Sequence, residues 1–122
     1  MTTIDTSNQG LRVIVDMFSG LPNPEWLLDV AQSAKVAAIL AGLGILGPGT
    51  SVPEPPALGY RGFEVSGFRG DCPAVRVFGA YVVACGEVLH DPDRRAESAL
   101  LDFSKAHLEP ATFDFLVRQT GQ

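Results

Sequence analysis

Apolar residues recur at every second position in several short runs of this chain, and a period of two is the signature of a strand that buries one face. Leu11, Val13, Val15 and Met17 hold the odd positions of Leu11 to Phe18, while Arg12 and Asp16 interrupt the even ones. Phe63, Val65 and Gly67 repeat the pattern within Tyr60 to Phe68, and Val75, Val77, Gly79, Tyr81 and Val83 repeat it within Ala74 to Cys85. Gly79 in mid-run predicts a bulge or bend there. Arg69-Gly70-Asp71-Cys72-Pro73 reads as a hairpin connection, Gly86 as a break, and Glu87 to His90 as one more short strand. These segments predict three to five antiparallel strands.

Helical signals fill the remainder. Asp29 with Gln32 three residues on is a capping pair, and Val30, Ala34, Ala37, Ala38 and Ala41 line one side of a helix that Gly42 is expected to end in the left-handed conformation. Glu25 to Leu28 is expected to be extended. Asp91-Pro92 predicts a second helix from 92 to about 107, with Ala96, Ala99, Leu100, Phe103 and His107 inward, and Glu109-Pro110 a third to about 119, with Phe113, Leu116 and Val117 buried. Between the first helix and the later strands, residues 42–62 hold six glycines and four prolines, which predicts a long irregular connection. The expected fold is therefore α+β: a small antiparallel sheet with one face covered by about three helices. Residues 1–10 are polar and are read as a flexible tail, leaving 11–122 as a single domain.

Composition narrows the partners. With 122 residues the chain is long enough for its own core. Nine Lys and Arg against fourteen Asp and Glu leave a net charge of −5, which repels phosphate backbones and argues against nucleic acid. No run approaches the ~20 apolar residues of a membrane span, so no membrane partner is expected. The first ten residues lack the basic, apolar and small-residue segments of a secretory signal, and a cytoplasmic location follows as the expectation. In a reducing compartment Cys72 and Cys85 are expected to be separate thiols.

Few residue patterns carry chemistry. Gly42-Leu43-Gly44-Ile45-Leu46-Gly47 follows a helix, precedes Pro48 and lacks the Lys-Ser or Lys-Thr of a phosphate loop, so nucleotide binding is not expected. Cys72, Cys85, His90 and His107 lack the closely spaced ligand pairs of a zinc site; no metal and no cofactor are expected. Cys85 follows an apolar run that keeps a thiol inert, and His107 suits a helix C-terminus. His90, at a strand-to-helix junction, and Asp16, beside a strand, are the candidate general bases. Asp16, Glu25, Glu64 and Glu87 otherwise read as strand carboxylates paired with Arg12, Arg61 or Arg76, and Asp93 to Glu97 as an exposed first helical turn.

The turn FSGLPNPEW stands apart. Ser19, Asn23 and Glu25 crowd polar atoms round a bend stiffened by Pro22 and Pro24, with Phe18 and Trp26 on either side. Such a turn suits recognition, because little ordering entropy is left to lose. It equally suits a strand exit with Trp26 buried and Asn23 bonding nearby backbone. Together with LGYRGFEV and VRVFGAYV, the run VIVDMFSGLPNPEW resembles a group of small bacterial and fungal proteins that share an FSGxPNPxW signature and end in helices. The resemblance covers most of residues 11–107 and implies an opening strand and closing helices, but no activity. Leu21 stands where that signature usually has Arg, so if that Arg contacts a ligand in the group, the contact is not expected here.

Two functional expectations follow. The first is a non-catalytic binding or accessory module, recognising a small molecule or protein through Ser19, Asn23, Glu25 and Trp26 of the turn and Tyr60 and Arg61 of the Tyr60–Phe63 segment. The second is a cofactor-independent enzyme with His90 or Asp16 as general base in a sheet-helix cleft. Self-association into a homodimer through a sheet edge or loop 42–62 is compatible with either.

Overall fold

The computed structural model describes residues 10–17, 22–46, 59–68 and 72–121. Its strands are β1 (Arg12–Val15), β2 (Glu25–Leu27), β3 (Gly44–Ile45), β4 (Phe63–Ser66), β5 (Ala74–Phe78), β6 (Tyr81–Ala84) and β7 (Glu87–His90). Three helices, α1 (Val30–Ala41), α2 (Arg95–Ser104) and α3 (Pro110–Thr120), complete it. All strand pairs are antiparallel, in the order β2-β1-β4-β5-β6-β7-β3. The α+β architecture is as expected, but among the described residues the sheet has seven strands rather than the expected three to five.

The difference has three sources. Ala74 to Cys85 is two strands: Gly79, at φ +59, and Ala80 form a two-residue hairpin turn, so Phe78 pairs with Tyr81. Positive φ at the first central position is what a primed hairpin turn needs, and glycine supplies it without steric cost. Side-chain parity is therefore reset, with Val82 and Ala84 buried while Tyr81 and Val83 lie on the opposite face. The extended Glu25–Leu27 pairs with β1 as one edge strand. Gly44 and Ile45, inside the glycine-rich connection, pair with His90 and Leu89 as the other edge.

One face of the sheet is the core. Val13, Val15, Phe63, Val65, Val75, Val77, Val82, Ala84 and Leu89 are buried together with Trp26, Leu11 and Met17. Onto them pack Val36, Ala37, Ile39 and Leu40 of α1, Ala96, Ala99, Leu100 and Leu101 of α2, and Leu116 of α3. Gly62 is required at its position: it has φ +109, and a Cβ there would lie 2.6 Å from the Val77 carbonyl oxygen.

Helix boundaries follow their caps. Asp29 accepts from the Gln32 amide at 2.7 Å while the Gln32 side chain accepts from the Asp29 amide at 3.2 Å, completing the expected capping box. Gly42, at φ −89, closes α1 without the left-handed turn expected of it. The Asp91 carboxylate does serve α2, accepting from the Ala96 amide at 2.8 Å, but the helix starts at Arg95 because Arg94 takes a left-handed φ of +55. It ends at Ser104, short of 107, and His107 lies in the turn that follows. Pro110 opens α3 at its first turn and Gly121, at φ +72, closes it.

The cysteines correct the thiol expectation, since Cys72 and Cys85 form a disulfide. Thirteen residues apart in sequence, they are brought to a Cα separation of 5.7 Å by the pairing of β5 with β6, which sets Cys85, next after Ala84, beside the start of β5. Disulfides persist in oxidising compartments and are rare in cytosolic proteins, so the reducing-compartment argument loses its premise. Among the described residues, no helix is long and apolar enough to cross a membrane.

Candidate functional site

The face of the sheet turned away from the helices carries Arg12, Glu25, Glu64 and Arg76, and it is where Asn23 and the segment before β4 meet. Asp16 continues β1 beyond Val15 on the parity of Arg12 and Ile14. Its backbone is fixed first: the Asp16 amide donates to the Gly62 carbonyl at 2.9 Å, and the Arg61 amide donates to the Asp16 carbonyl at 2.6 Å.

Its carboxylate then gathers groups from three segments. Asn23 Nδ2 donates to Asp16 Oδ1 at 3.4 Å, and Arg76 Nη1 donates to Asp16 Oδ2 at 3.3 Å. Arg61 Nη1 lies 3.9 Å from the same oxygen. Arg76 also donates to the Arg61 carbonyl at 3.3 Å and approaches Glu64 Oε2 at 3.7 Å. Asn23 reaches back to the turn's entry, its Oδ1 accepting from the Met17 amide at 3.1 Å. Beside this cluster, exposed Arg12 and Glu25 form a 4.0 Å pair across β1 and β2. Two guanidiniums facing one carboxylate present more donors than it accepts, and the Arg61 side chain is 46% exposed.

The sequence candidates divide accordingly. Asn23, Glu25, Arg61 and Asp16 lie on the open face. Trp26 and Tyr60 turn to the other side. Trp26, 8% exposed, pairs with Val13 over the core, with the His107 ring stacked on it at 5.1 Å and 8°. Its indole Nε1 is buried with no hydrogen-bond partner among the described residues. Ser19 lies outside the described residues. His90 is on the open face but four strand positions from β1, a distance of ~19 Å at normal strand spacing, and its ring lies 5.8 Å from that of Tyr81. The two candidate bases, Asp16 and His90, are therefore not in one site.

A second polar cluster was not anticipated. Glu97, 1% exposed, accepts from the Tyr60 hydroxyl at 2.7 Å, the Gly79 amide at 2.8 Å, and Arg94 Nε and Nη2 at 3.2 and 2.5 Å. Arg94 also donates to the Thr120 carbonyl. Burial first, and then the facing Glu97 carboxylate, push the Tyr60 hydroxyl far above its ordinary range, so it stays protonated and donates. Far from an exposed helical turn, residues 94 and 97 tie the β5–β6 turn, the segment before β4 and the end of α3 to α2. Leu101 is the signal that locates Glu97: one turn later on the same face, it widens the buried stripe beyond Ala96 and Leu100.

Among the described residues, no group of three or more His, Cys, Asp or Glu is placed to hold a metal ion. Compared with protein-family models, curated proteins and solved structures, the chain has no match in any of the three.

Proposed function

We propose that the protein is a non-catalytic binding module whose recognition surface is the open-face cluster of Asp16, Asn23, Arg61 and Arg76, flanked by Arg12 and Glu25. One observation supports this above the others: the Asp16 carboxylate joins Asn23 of the proline turn to Arg61 before β4, while leaving the Arg61 guanidinium substantially in water. A fixed carboxylate holding a guanidinium at the surface pre-orients donors for a partner's acceptor, which lowers the ordering cost of association. The partner class is a small molecule or protein segment presenting a carboxylate. Kinship with the FSGxPNPxW group belongs to the same proposal, since Asn23, Pro24 and Trp26 of that signature seat the turn against β1.

The test is amide-resolved NMR of the isotopically labelled protein against a set of small carboxylic acids. Saturable shifts centred on residues 16, 23, 61 and 76 support the proposal. Shifts confined to His90 and Tyr81, or conversion of a carboxylic acid to product, would overturn it in favour of the enzyme reading.

A further inference from the structure

The disulfide lies away from this surface, at the opposite end of the sheet. Cys72 precedes β5 at Ala74, which pairs with Ser66 at the far end of β4, whereas Asp16 sits beside Gly62 at the near end. Cys85 occupies the turn between β6 and β7. The two sulfur-bearing residues are unequal: Cys72 is fully buried and Cys85 is exposed. An incoming thiolate attacks a disulfide sulfur that it can reach, so access selects Cys85.

The geometry points to Cys85 as a site of S-thiolation by low-molecular-weight thiols, with Cys72 as the built-in leaving and resolving thiol. Attack of a thiolate on Cys85 Sγ forms the new S–S bond and breaks the Cys72–Cys85 bond; the electron pair leaves on Cys72 Sγ, which takes a proton from solvent. Return of the Cys72 thiolate to Cys85 Sγ expels the small thiol and restores the bridge. If a second small thiol attacks the adduct instead, its sulfur and the first form the oxidised dimer, and both cysteines are left as thiols.

Three features accommodate the opened state. Cys72 Sγ lies 3.4 Å from the Ala74 carbonyl oxygen. A disulfide sulfur has no proton to give, so that contact becomes a hydrogen bond only when Cys72 is a thiol. Neither cysteine belongs to a strand, and the β4–β5, β5–β6 and β6–β7 ladders close without the bridge. Cys85 is one of two non-glycine residues at positive φ among the described residues, beside Gly86 at φ +83. The paired strands define that two-residue turn, so it keeps the Cys85 side chain at the surface after the bridge opens.

The experiment treats the native protein with millimolar reduced glutathione in the absence of denaturant, followed by alkylation and peptide mass spectrometry. The expected result is one glutathione on the Cys85 peptide, an alkylated Cys72, and an unchanged far-ultraviolet circular dichroism spectrum. A bridge that opens only after denaturant is added, or glutathione found on Cys72, would overturn the assignment. The variants Cys72→Ala and Cys85→Ala give an independent reading with an aromatic disulfide reagent. The remaining Cys85 thiol is expected to react on the order of tenfold or more faster than the remaining Cys72 thiol, which must await local opening; equal rates contradict the proposal. Should either variant fail to fold, the native glutathione result decides.

Discussion

The Tyr60 hydroxyl donates to a fully buried Glu97 carboxylate at 2.7 Å, across thirty-seven residues of chain. Glu97 gains its charge-assisted bonds from Arg94, Tyr60 and the Gly79 amide, and these are what make a buried carboxylate tolerable. Glu97→Ala removes the acceptor from all three at once. The expected loss is about 3 kcal/mol in urea unfolding, the lower end for breaking a buried ion pair, because Arg94 retains partial access to water.

The same pair sets an alkaline limit. Tyr60 has a folded-state affinity for its proton raised above that of the unfolded chain, so the folded state holds more protons at high pH. That contribution is complete below about pH 10, the ordinary tyrosine value, and is lost progressively as pH rises beyond it. Unfolding midpoints of the native protein should fall above that pH, and those of Tyr60→Phe should start lower and fall less. Parallel pH dependence in the two proteins would contradict the assignment.

Gly62 permits the close passage of the Tyr60–Phe63 segment over β5. Gly62→Ala must relieve a 2.6 Å approach to the Val77 carbonyl and an unfavourable positive φ together. A loss of about 2–4 kcal/mol is expected, measured as a shift in the urea midpoint at unchanged slope.

Trp26 is a packing residue whose indole donor has no partner among the described residues. Trp26→Ala should cost about 3–5 kcal/mol, as for other buried aromatic truncations. Trp26→Phe keeps much of the ring contact with the core and forfeits no hydrogen bond present among the described residues. Its loss should therefore stay below about 1.5 kcal/mol. Thermal unfolding of the two variants separates the cases.

The features legible in the sequence are those whose cause is local. The odd residues of β1 are buried because strand geometry alternates sides, and Asp29 with Gln32 closes a box spanning one turn. Gly79 illustrates the first failure. A bulge and a two-residue turn both favour glycine, and only the pairing of Phe78 with Tyr81 distinguishes them. The edge strands β2 and β3 are too short to show a period, and β3 exists only because β7 lies beside it. Cys72 and Cys85 meet through the pairing of β5 with β6, which neither residue announces. Asp16, Asn23 and Arg61 were each legible as polar residues at a strand, turn and loop. Their convergence depends on β1 lying next to β4, while Trp26 and Tyr60 were lost to the core because alternation turned one inward and Glu97 captured the other.

Arg61 tests the proposed recognition surface most directly, because the proposal gives its exposed guanidinium a part in binding and little part in folding. Its 3.9 Å approach to Asp16 at the surface implies that Arg61→Ala changes stability by no more than about 0.5 kcal/mol. Calorimetric titration of native protein and Arg61→Ala with the tightest-binding carboxylic acid from the NMR set should show an affinity loss on the order of tenfold at equal melting temperature. Equal affinity of the two proteins would contradict the proposed surface.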